Sequence, residues 1–381
     1  MSAPAPVIFI AAGEESGDLH GAALARALRE RFPGARLIGL GGARMEAVGV
    51  ELLAGLQELA VMGFVEVIRH LPFFIDLKKR VFAALERERV ELVIPIDYPG
   101  FNLRLARHAR GRGIPVLYYI APQVWAWHKS RVRDLARDAD EVAVVLPFEE
   151  AFLRAAGVNA RFVGHPLLDR PAPELPREAW ARANGLDPAR PILGLFPGSR
   201  AQEVRRHLEL FSDAAELVVA RDARVQPAIA VPRGIDRAVY GGGARWPLVE
   251  STGGMLLQYA TAALVKSGTT TLEAGIAATP MVVVYRMAPL SYALARRVVK
   301  VPHIALANLI AERRVAPEFV QDAATPQALA DALLPLLDEA SPERREMVQG
   351  LSAIRGKLGG PGASARVAEI AGALLARGRG E

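Results

Sequence analysis

Short runs of apolar, β-forming residues alternate along this chain with segments whose apolar residues recur at helical spacing. In the first half the apolar runs read VIFIAAG, RLIGLGG, VELLA, ELVIPID, PVLYYIAP, EVAVVLP and ARFVGHP, and amphipathic segments lie at 17–32, 43–49, 102–112, 129–137 and 148–156. The second half continues with ILGLFPG, VQPAIAVP, AALVKSG and MVVVYRM, and it is mostly helical from Pro326 onward. Apolar strands that alternate with helices are typical of parallel sheets covered by helices, so the pattern predicts an α/β fold.

The length and the punctuation of the chain predict two domains. At 381 residues it exceeds the size at which one core normally stops growing, and segment 169–191 is rich in proline and charge, as linkers are. We therefore expect doubly wound, Rossmann-like domains at 1–168 and 192–360, facing each other across a cleft. A last helix at 361–381 packs either on the N-terminal domain or on a partner protomer. Ligands of such sheets bind beyond the carboxyl ends of the strands, so the chemistry is expected at strand-to-helix turns.

Composition and charge exclude several classes of protein. The net charge is +6, carried mostly by arginine, which fits nucleic acid, an anionic membrane or a phosphorylated substrate as partner. The arginines are scattered and no nucleic-acid-binding signature is present, which disfavours nucleic acid. The chain has no cysteine for a disulfide or a thiolate metal site. Its longest uncharged stretch, 113–128, is shorter than the roughly 20 apolar residues of a membrane span, and the N-terminus lacks a basic leader, so we expect a cytoplasmic protein.

The stretch ILGLFPGSRAQEV has the pattern of an anion site. A buried strand ends, Gly198 turns the chain, Ser199 stands at the expected N-cap of a helix, and Arg200 adds a permanent cation. Free N–H groups at a helix N-terminus attract anions, and arginine contacts phosphate in a bidentate manner. A capped helix with an incidental arginine is the alternative.

A second stretch, AALVKSGTTTLEAG, repeats the arrangement. Ser267, Gly268 and Thr269 follow a strand, where backbone N–H groups and hydroxyls can surround phosphate oxygens, and Glu273 is placed to accept hydrogen bonds from a ribose. Two such loops in one domain predict a nucleoside diphosphate ligand. No Walker A motif and no complete GxGxxG fingerprint is present, which disfavours ATP hydrolysis and nicotinamide chemistry.

The first domain places carboxylates, rather than more glycine, at its strand ends. In AGEESGDLHG, Glu15, Ser16 and Asp18 follow the first strand, where they can bind the hydroxyls of an acceptor sugar. Asp97 follows the buried strand of ELVIPID, where partial desolvation would raise its pKa and suit it to remove a proton from a hydroxyl. Two alternatives stay open, namely Asp97 as an N-cap and His20 as the base.

The motifs taken together resemble those of the lipid-A-disaccharide synthase family of GT-B glycosyltransferases, from about residue 7 to 335. In chain order they are AGEESGDLHG, MGFVEV, IDYPGFN, PQVWAWHKSR, LPFE, FVGHP, LFPGSRAQEV, SGTTTLE, VVVYRM and ANLI. The resemblance implies transfer of 2,3-diacylglucosamine from UDP to the 6-hydroxyl of 2,3-diacylglucosamine 1-phosphate. It forms the β-1,6 lipid A disaccharide 1-phosphate and UDP by a single inverting displacement.

The reaction implied by the resemblance gives the candidate residues their roles. Asp97 is the general base, and Arg200 stabilises the leaving diphosphate. Asn102 and Gln123 join the acceptor site, and Asn308 contacts the nucleotide or the donor sugar. No cofactor and no metal ion is required.

Segment 59–85 is unusually apolar and ends near the basic triplet Lys78-Lys79-Arg80. Aromatic residues beside cations are typical of segments that lie on anionic membranes, although periodicity alone favours core packing equally. The acylated substrates favour contact with an anionic inner-membrane surface of a Gram-negative bacterium. Besides the triplet, the residues expected to touch the membrane or the acyl chains are Val61, Met62, Phe64, Phe73 and Phe74.

Several rival functions keep the phosphate loops. Another UDP-sugar GT-B enzyme, such as a lipid-linked N-acetylglucosaminyltransferase or a UDP-sugar 2-epimerase, need not keep the apolar 59–85 segment. A nucleotide-sugar binding protein without activity would not need Asp97 and Arg200 together, and an oxidoreductase is the most distant alternative. The sequence leaves monomer and homodimer open.

Overall fold

The computed structural model describes residues 5–59, 71–125, 130–170, 173, 175–232, 235–241, 244–250, 254–288, 292 and 302–379, without the side chains at 57, 59, 71, 72 and 74. The chain divides into two compact units. Unit 1 comprises Met1–Asp169 and Leu358–Glu381, and unit 2 comprises Arg170–Lys357.

Unit 1 alternates strands and helices from its first strand. Its described strands are β1 (Val7–Ala12), β2 (Arg36–Gly41), β3 (Glu51–Gly55), β4 (Leu92–Ile96), β5 (Leu117–Tyr119), β6 (Glu141–Val144) and β7 (Ala160–Phe162). Its described helices are α1 (Glu15–Arg31), α2 (Ala43–Ala47), α3 (Leu56–Leu59), α4 (Leu71–Arg87), α5 (Pro99–Gly111), α6 (Arg131–Asp138), α7 (Pro147–Arg154) and, after unit 2, the C-terminal helix Ala363–Arg379.

The strands of unit 1 form one parallel sheet in the order β3-β2-β1-β4-β5-β6-β7. All residues of β4 are buried, and β1 is buried from its second residue on, because helices cover both faces of a parallel sheet. Strand β1 lies inside the sheet, with β2 and β3 on one side of it and β4 to β7 on the other. The strand order therefore reverses between β1 and β4. That reversal is the topological switch point at which doubly wound folds bind ligands.

Unit 2 repeats this design. Its described strands are β8 (Ile192–Phe196), β9 (Gln226–Val231), β10 (Leu248–Glu250), β11 (Ala262–Lys266), β12 (Met281–Tyr285) and β13 (Glu318–Val320). Its described helices are α8 (Arg177–Ala183), α9 (Ala201–Arg221), α10 (Met255–Tyr259), α11 (Thr269–Ala277), α12 (Leu306–Ala311), α13 (Pro326–Leu337) and α14 (Pro342–Lys357). The sheet is parallel in the order β10-β9-β8-β11-β12-β13, with its switch point between β8 and β11.

The predicted α/β class with two doubly wound sheets is confirmed, and some boundaries differ. The helix expected at 102–112 begins at Pro99, because proline favours the first turn of a helix, where its missing N–H costs nothing. Segment 169–191, expected to be a linker, contains α8, and its Trp180 is buried against Tyr259 within unit 2. The C-terminal helix, which we label α15, packs on α1 of unit 1.

Among the described helices, none combines the length and the apolar character that a membrane crossing requires.

Candidate active site

The two turns of unit 1 that carry the candidate carboxylates, after β1 and after β4, lie at the switch point of its sheet. Ala12 of β1 pairs with Ile96 of β4, so the turns that begin at Gly13 and Asp97 leave neighbouring strand ends. The two turns touch, because a Cβ on Gly13 would lie 2.3 Å from the ring of Tyr98. Only glycine allows this close approach. The structure therefore brings the two acidic turns of the sequence analysis to one edge of the sheet.

Asp97 is held in a strained backbone conformation. Asp97 and Tyr98 have φ values of +45° and +47°, a region that residues other than glycine rarely occupy. The carbonyl of Asp97 accepts hydrogen bonds from the hydroxyl of Tyr118 at 2.7 Å and from Nδ2 of Asn102 at 2.9 Å. These bonds stabilise the turn and fix the position from which the Asp97 side chain departs.

The interpretation of Asp97 as a helix cap is wrong. Helix α5 begins at Pro99 and its N-cap is Tyr98, without a capping hydrogen bond from a side chain. The carboxylate of Asp97 therefore does not cap α5.

Asn102, expected to contact the acceptor, forms hydrogen bonds with the backbone at the ends of two strands. It is buried, and its Nδ2 also donates to the carbonyls of Ala11 and Ile96 at 3.1 Å, so one amide ties the ends of β1 and β4 together. The structure assigns Asn102 to holding the Asp97 turn.

Burial and charge make Asp97 a stronger base than an ordinary aspartate. Burial, and after it the negative charge of Glu14, raises the pKa of Asp97 to about 6, against the opposing hydrogen bond from the backbone of Tyr98. A carboxylate with this pKa is mostly ionised at neutral pH and still accepts a proton readily.

Glu149, a buried acidic residue whose charge interacts with that of Asp97, was not singled out from the sequence. It is 2% exposed at the start of α7 and accepts hydrogen bonds from Nε1 of Trp125 at 3.0 Å and from the N–H of Leu146 at 3.1 Å. Burial raises its pKa to about 7 against these hydrogen bonds, and the charge of Asp97 adds to the increase. The sequence LPFEE reads as an ordinary helix start, because Trp125 lies 24 residues away along the chain.

The other predicted acceptor residues have different environments. Glu15 and Ser16 are exposed at the start of α1, where Glu15 pairs with Arg44 at 2.6 Å, and Gln123 is exposed beyond the end of β5. His20, the alternative base, lies further along α1 and is partly buried.

Asp18, predicted to contact the acceptor, caps a helix in this structure. Its buried carboxylate accepts hydrogen bonds from the backbone N–H groups of Gly42 at 2.8 Å, Met45 at 3.0 Å and Arg44 at 3.1 Å. These are the free donors at the start of α2. The carboxylate thus caps that helix from a distant segment.

Asp18→Ala is expected to lower the free energy of unfolding by roughly 2–3 kcal/mol, because several buried N–H groups lose their acceptor. Urea denaturation measures this value. Glu15→Ala, which removes an exposed ion pair, serves as the control and should change it by less than about 1 kcal/mol. Equal stability of the two variants would contradict the capping role.

The first predicted phosphate loop of unit 2 also lies at a switch point. Phe196 of β8 pairs with Val265 of β11, so the loops after these strands start side by side. Gly198 has a φ of +146°, and a Cβ there would lie 2.4 Å from Cβ of Glu203. The turn therefore requires glycine.

The N-cap of α9 is Arg200 and not Ser199 as expected, and no side chain caps this helix. The N–H of Ser199 instead donates to Oε2 of Glu203 at 3.0 Å. The guanidinium of Arg200 is about half exposed and lies 3.9 Å from Oε1 of the same carboxylate. Arg200 thus remains accessible to an anion beside the loop.

In the second loop, backbone geometry limits which residues can contact a ligand. Ser267 is buried, its N–H donates to the carbonyl of Val284 at 2.8 Å, and its Oγ donates to the carbonyl of Ile304 at 3.1 Å. The N–H and hydroxyl of Ser267 thus have partners within the unit, and its phosphate contact stays a prediction. Gly268 is the N-cap of α11 and Thr269 is exposed at its first position, so these two present the start of that helix.

The two remaining nucleotide candidates differ. Glu273 lies one turn into α11 and its Oε1 pairs with Arg170 at 2.6 Å, so the carboxylate is oriented and partly exposed. Asn308 is fully buried, and its amide bonds the backbones of Val315 and Ala316 and the carboxylate of Glu318. Asn308 thus holds the segment around Val315 and Ala316 in unit 2, and its contact with the nucleotide stays a prediction.

Within the described ranges, no three His, Asp or Glu side chains gather in a way that could hold a metal ion.

The chain is similar to known proteins over nearly its whole length. A family model described as lipid-A-disaccharide synthetase matches residues 8–358. The lipid-A-disaccharide synthase of Acidobacterium capsulatum is 42% identical over 390 aligned positions, which cover 98% of this chain and 97% of the relative.

Solved structures share the fold at low sequence identity. The glycosyltransferase of kitacinnamycin superposes with a TM-score of 0.66 at 18% identity, covering 98% of this chain and 100% of that one. The UDP-GlcNAc 2-epimerase from Neisseria meningitidis, solved bound to UDP-GlcNAc, superposes with a TM-score of 0.63 at 10% identity, covering 97% and 99%. The fold is thus that of GT-B glycosyltransferases and related epimerases. On the family match and the identity to its relatives, this chain is a glycosyltransferase of lipid A biosynthesis and belongs to the lipid-A-disaccharide synthase family.

Proposed function

We propose that this enzyme transfers 2,3-diacylglucosamine from UDP-2,3-diacylglucosamine to the 6-hydroxyl of 2,3-diacylglucosamine 1-phosphate. The products are the β-1,6-linked disaccharide 1-phosphate and UDP. Family membership supports this pair of substrates. The observation that carries the mechanism is the strained turn at the end of β4, which presents the Asp97 carboxylate with a pKa of about 6.

The proposed chemistry is a single displacement with inversion. The oxygen of the acceptor hydroxyl attacks the anomeric carbon of the donor while its proton passes to the Asp97 carboxylate. The bond between the anomeric carbon and the diphosphate oxygen breaks, and UDP leaves with the bonding electrons. An α-linked donor thereby gives a β-linked product, and no covalent intermediate with the enzyme forms.

Unit 2 is proposed to hold the donor through its diphosphate and ribose. Arg200 stands beside the Gly198 turn, where its guanidinium can neutralise the charge that develops on the leaving group. The N–H groups at the start of α11 supply further donors, and its macrodipole favours an anion there. Glu273, oriented by Arg170, has a second carboxylate oxygen for the ribose hydroxyls.

Unit 1 is proposed to hold the acceptor sugar. Glu15, Ser16 and Gln123 are exposed near the carboxyl ends of β1 and β5, where polar side chains can bind sugar hydroxyls. Asp97 is preferred to His20 as the base, because Asp97 stands directly at the switch point with a raised pKa.

The direct test incubates the purified protein with UDP-2,3-diacylglucosamine and 2,3-diacylglucosamine 1-phosphate, and detects the disaccharide 1-phosphate by mass spectrometry. Unacylated UDP-N-acetylglucosamine is the matched control. Disaccharide from the acylated pair alone supports the proposal. Epimerisation or transfer of the unacylated sugar in its place would indicate one of the rival UDP-sugar enzymes.

We further propose that α4 lies against the cytoplasmic surface of the inner membrane. One face of this helix is buried in the core of unit 1 through Leu77, Val81 and Leu85. Outside that face, Ile75 is 46% exposed, and the basic triplet Lys78-Lys79-Arg80 is exposed as well. An exposed apolar side chain beside cations fits an anionic lipid surface.

The other predicted membrane residues divide into two groups. Phe73 was expected to touch the membrane or the acyl chains. It is partly buried and packs against the core of unit 1, so at least part of its ring faces the protein. Val61, Met62 and Phe64, which were expected to touch the membrane or the acyl chains, lie outside the described residues. The side chain of Phe74 lies outside them as well.

The triple substitution K78Q/K79Q/R80Q is expected to weaken binding to vesicles with anionic lipid by at least about tenfold, since each cation near such a surface contributes about 1 kcal/mol. Vesicle sedimentation measures the binding. The triple substitution R182Q/R205Q/R206Q, which removes the same charge from exposed arginines of unit 2, should leave it nearly unchanged. Equal losses would show that net charge alone governs the binding.

A further inference from the structure

Lys266, the last residue of a strand, stands beside both phosphate loops of unit 2. It ends β11, directly before Ser267 and Gly268. Because β11 pairs with β8, the end of β11 also adjoins the turn at Gly198. Its backbone therefore stands at the switch point of the sheet, between the two loops.

The ammonium group of Lys266 has a defined position. Its Nζ donates to Oε1 of Glu203 on α9 at 2.8 Å, and the side chains of both residues are only about one-fifth exposed. The same Nζ lies 3.7 Å from the point that a Cβ on Gly268 would occupy. The Lys266 side chain thus lies beside Gly268 of the second loop, while its ammonium group contacts α9, the helix that follows the first loop.

Glu203 arranges the groups around it. Oε1 faces Lys266 at 2.8 Å and the guanidinium of Arg200 at 3.9 Å, while Oε2 accepts the N–H of Ser199 at 3.0 Å. Burial raises the pKa of Glu203, but the hydrogen bond and charge of Lys266, with the bond from Ser199, outweigh burial and leave the pKa below its ordinary value. The carboxylate is therefore ionised at neutral pH, and it holds two cations and one backbone donor together.

Groups that converge on one carboxylate can also converge on a phosphate. An ammonium group, a guanidinium and a backbone N–H all donate hydrogen bonds to phosphate oxygens. In partly buried surroundings the attraction between these groups and a phosphate is stronger than in water. Lysine acts as a point charge, so it can lie between non-bridging oxygens of two adjacent phosphates, while arginine suits a bidentate contact.

We propose that Lys266 is a second diphosphate-binding cation of the donor site, which Glu203 holds in position between the two loops when no nucleotide is bound. The proposal rests on the proposed function of unit 2 as the UDP-sugar site. On binding, the ammonium group of Lys266 contacts the diphosphate and keeps Glu203 as a neighbour. It then stabilises the negative charge that UDP carries away.

The test compares the binding of UDP with that of uridine by isothermal titration calorimetry. Lys266→Met is expected to weaken UDP binding by roughly tenfold or more, the usual effect of losing a charged hydrogen bond. It should leave uridine binding unchanged, because uridine has no phosphate. Arg205→Gln, which removes an exposed cation from α9, the helix that carries Glu203, is the matched control and should bind UDP as the wild type does.

A double variant separates a direct contact from simple neutralisation of Glu203. If Lys266 binds the diphosphate, K266M/E203Q remains weak although the uncompensated carboxylate is gone, and Lys266→Arg recovers most of the affinity. Recovery of wild-type affinity in K266M/E203Q, or normal UDP binding by Lys266→Met, would overturn the proposal. Failure of the wild-type protein to bind UDP at all would instead overturn the proposed function, so the two failures are distinguishable.

Discussion

Asp97→Asn is expected to lower the rate of disaccharide formation by roughly 10²–10⁴-fold, the usual contribution of a general base. Asparagine has the shape of aspartate but cannot accept the proton of the acceptor hydroxyl. The hydrogen bonds that hold this turn are donated by the side chains of Tyr118 and Asn102 to the backbone carbonyl of residue 97, and the substitution leaves them in place. The measurement is the initial rate of disaccharide 1-phosphate formation at saturating substrate.

Two controls separate loss of the base from loss of the fold. The raised pKa of Asp97 means that its charged form is disfavoured in the folded protein, so a neutral amide should not reduce stability at neutral pH. UDP binding, which we assign to unit 2, should also persist. His20→Ala is the matched variant, and a larger loss of rate there than in Asp97→Asn would transfer the role of base to His20.

The pH dependence follows from the same group. A base must be deprotonated to act, so the wild-type rate should fall as the pH decreases through about 6, the pKa of Asp97. Below that value the rate should decrease by about tenfold per pH unit. The residual activity of Asp97→Asn should lack this acidic limb. Persistence of the limb in the variant would assign it to another group.

Arg200→Ala is expected to lower the rate by roughly 10²–10³-fold, the usual loss when one donor to a developing anion is removed. The guanidinium stands beside the Gly198 turn, close to Glu203, and remains half exposed. It can therefore meet the leaving diphosphate without breaking a buried structure. The rate with saturating donor measures the effect, because stabilisation of the leaving group acts in the transition state more than on bound substrate.

Arg205→Ala serves as the control for this prediction. Arg205 is an exposed arginine on the same helix, one turn beyond the loop, and its removal makes the same change in net charge. We expect its rate to stay close to the wild type. Turnover near the wild-type value in Arg200→Ala would remove Arg200 from the mechanism, and equal losses in both variants would indicate a general effect of charge.

The sequence by itself determined the fold class and the edges at which chemistry is placed. Apolar strands that alternate with amphipathic helices predict parallel sheets, and the loops after β1, β4, β8 and β11 predict candidate residues. The structure shows that those strands flank the switch points of both sheets. These features follow from local patterns, because hydrophobic periodicity and glycine turns are properties of short segments.

Only the tertiary structure decided which polar residues at those edges serve packing and which remain available to a ligand. The amide of Asn102 bonds a carbonyl 91 residues away, and the carboxylate of Asp18 caps a helix 24 residues further along the chain. Lys266 meets Glu203 over 63 residues. A buried polar group must find a hydrogen-bond partner, and that partner comes from whichever segment the fold brings near. Residue type and local spacing therefore locate candidates, while contacts between distant segments decide their roles.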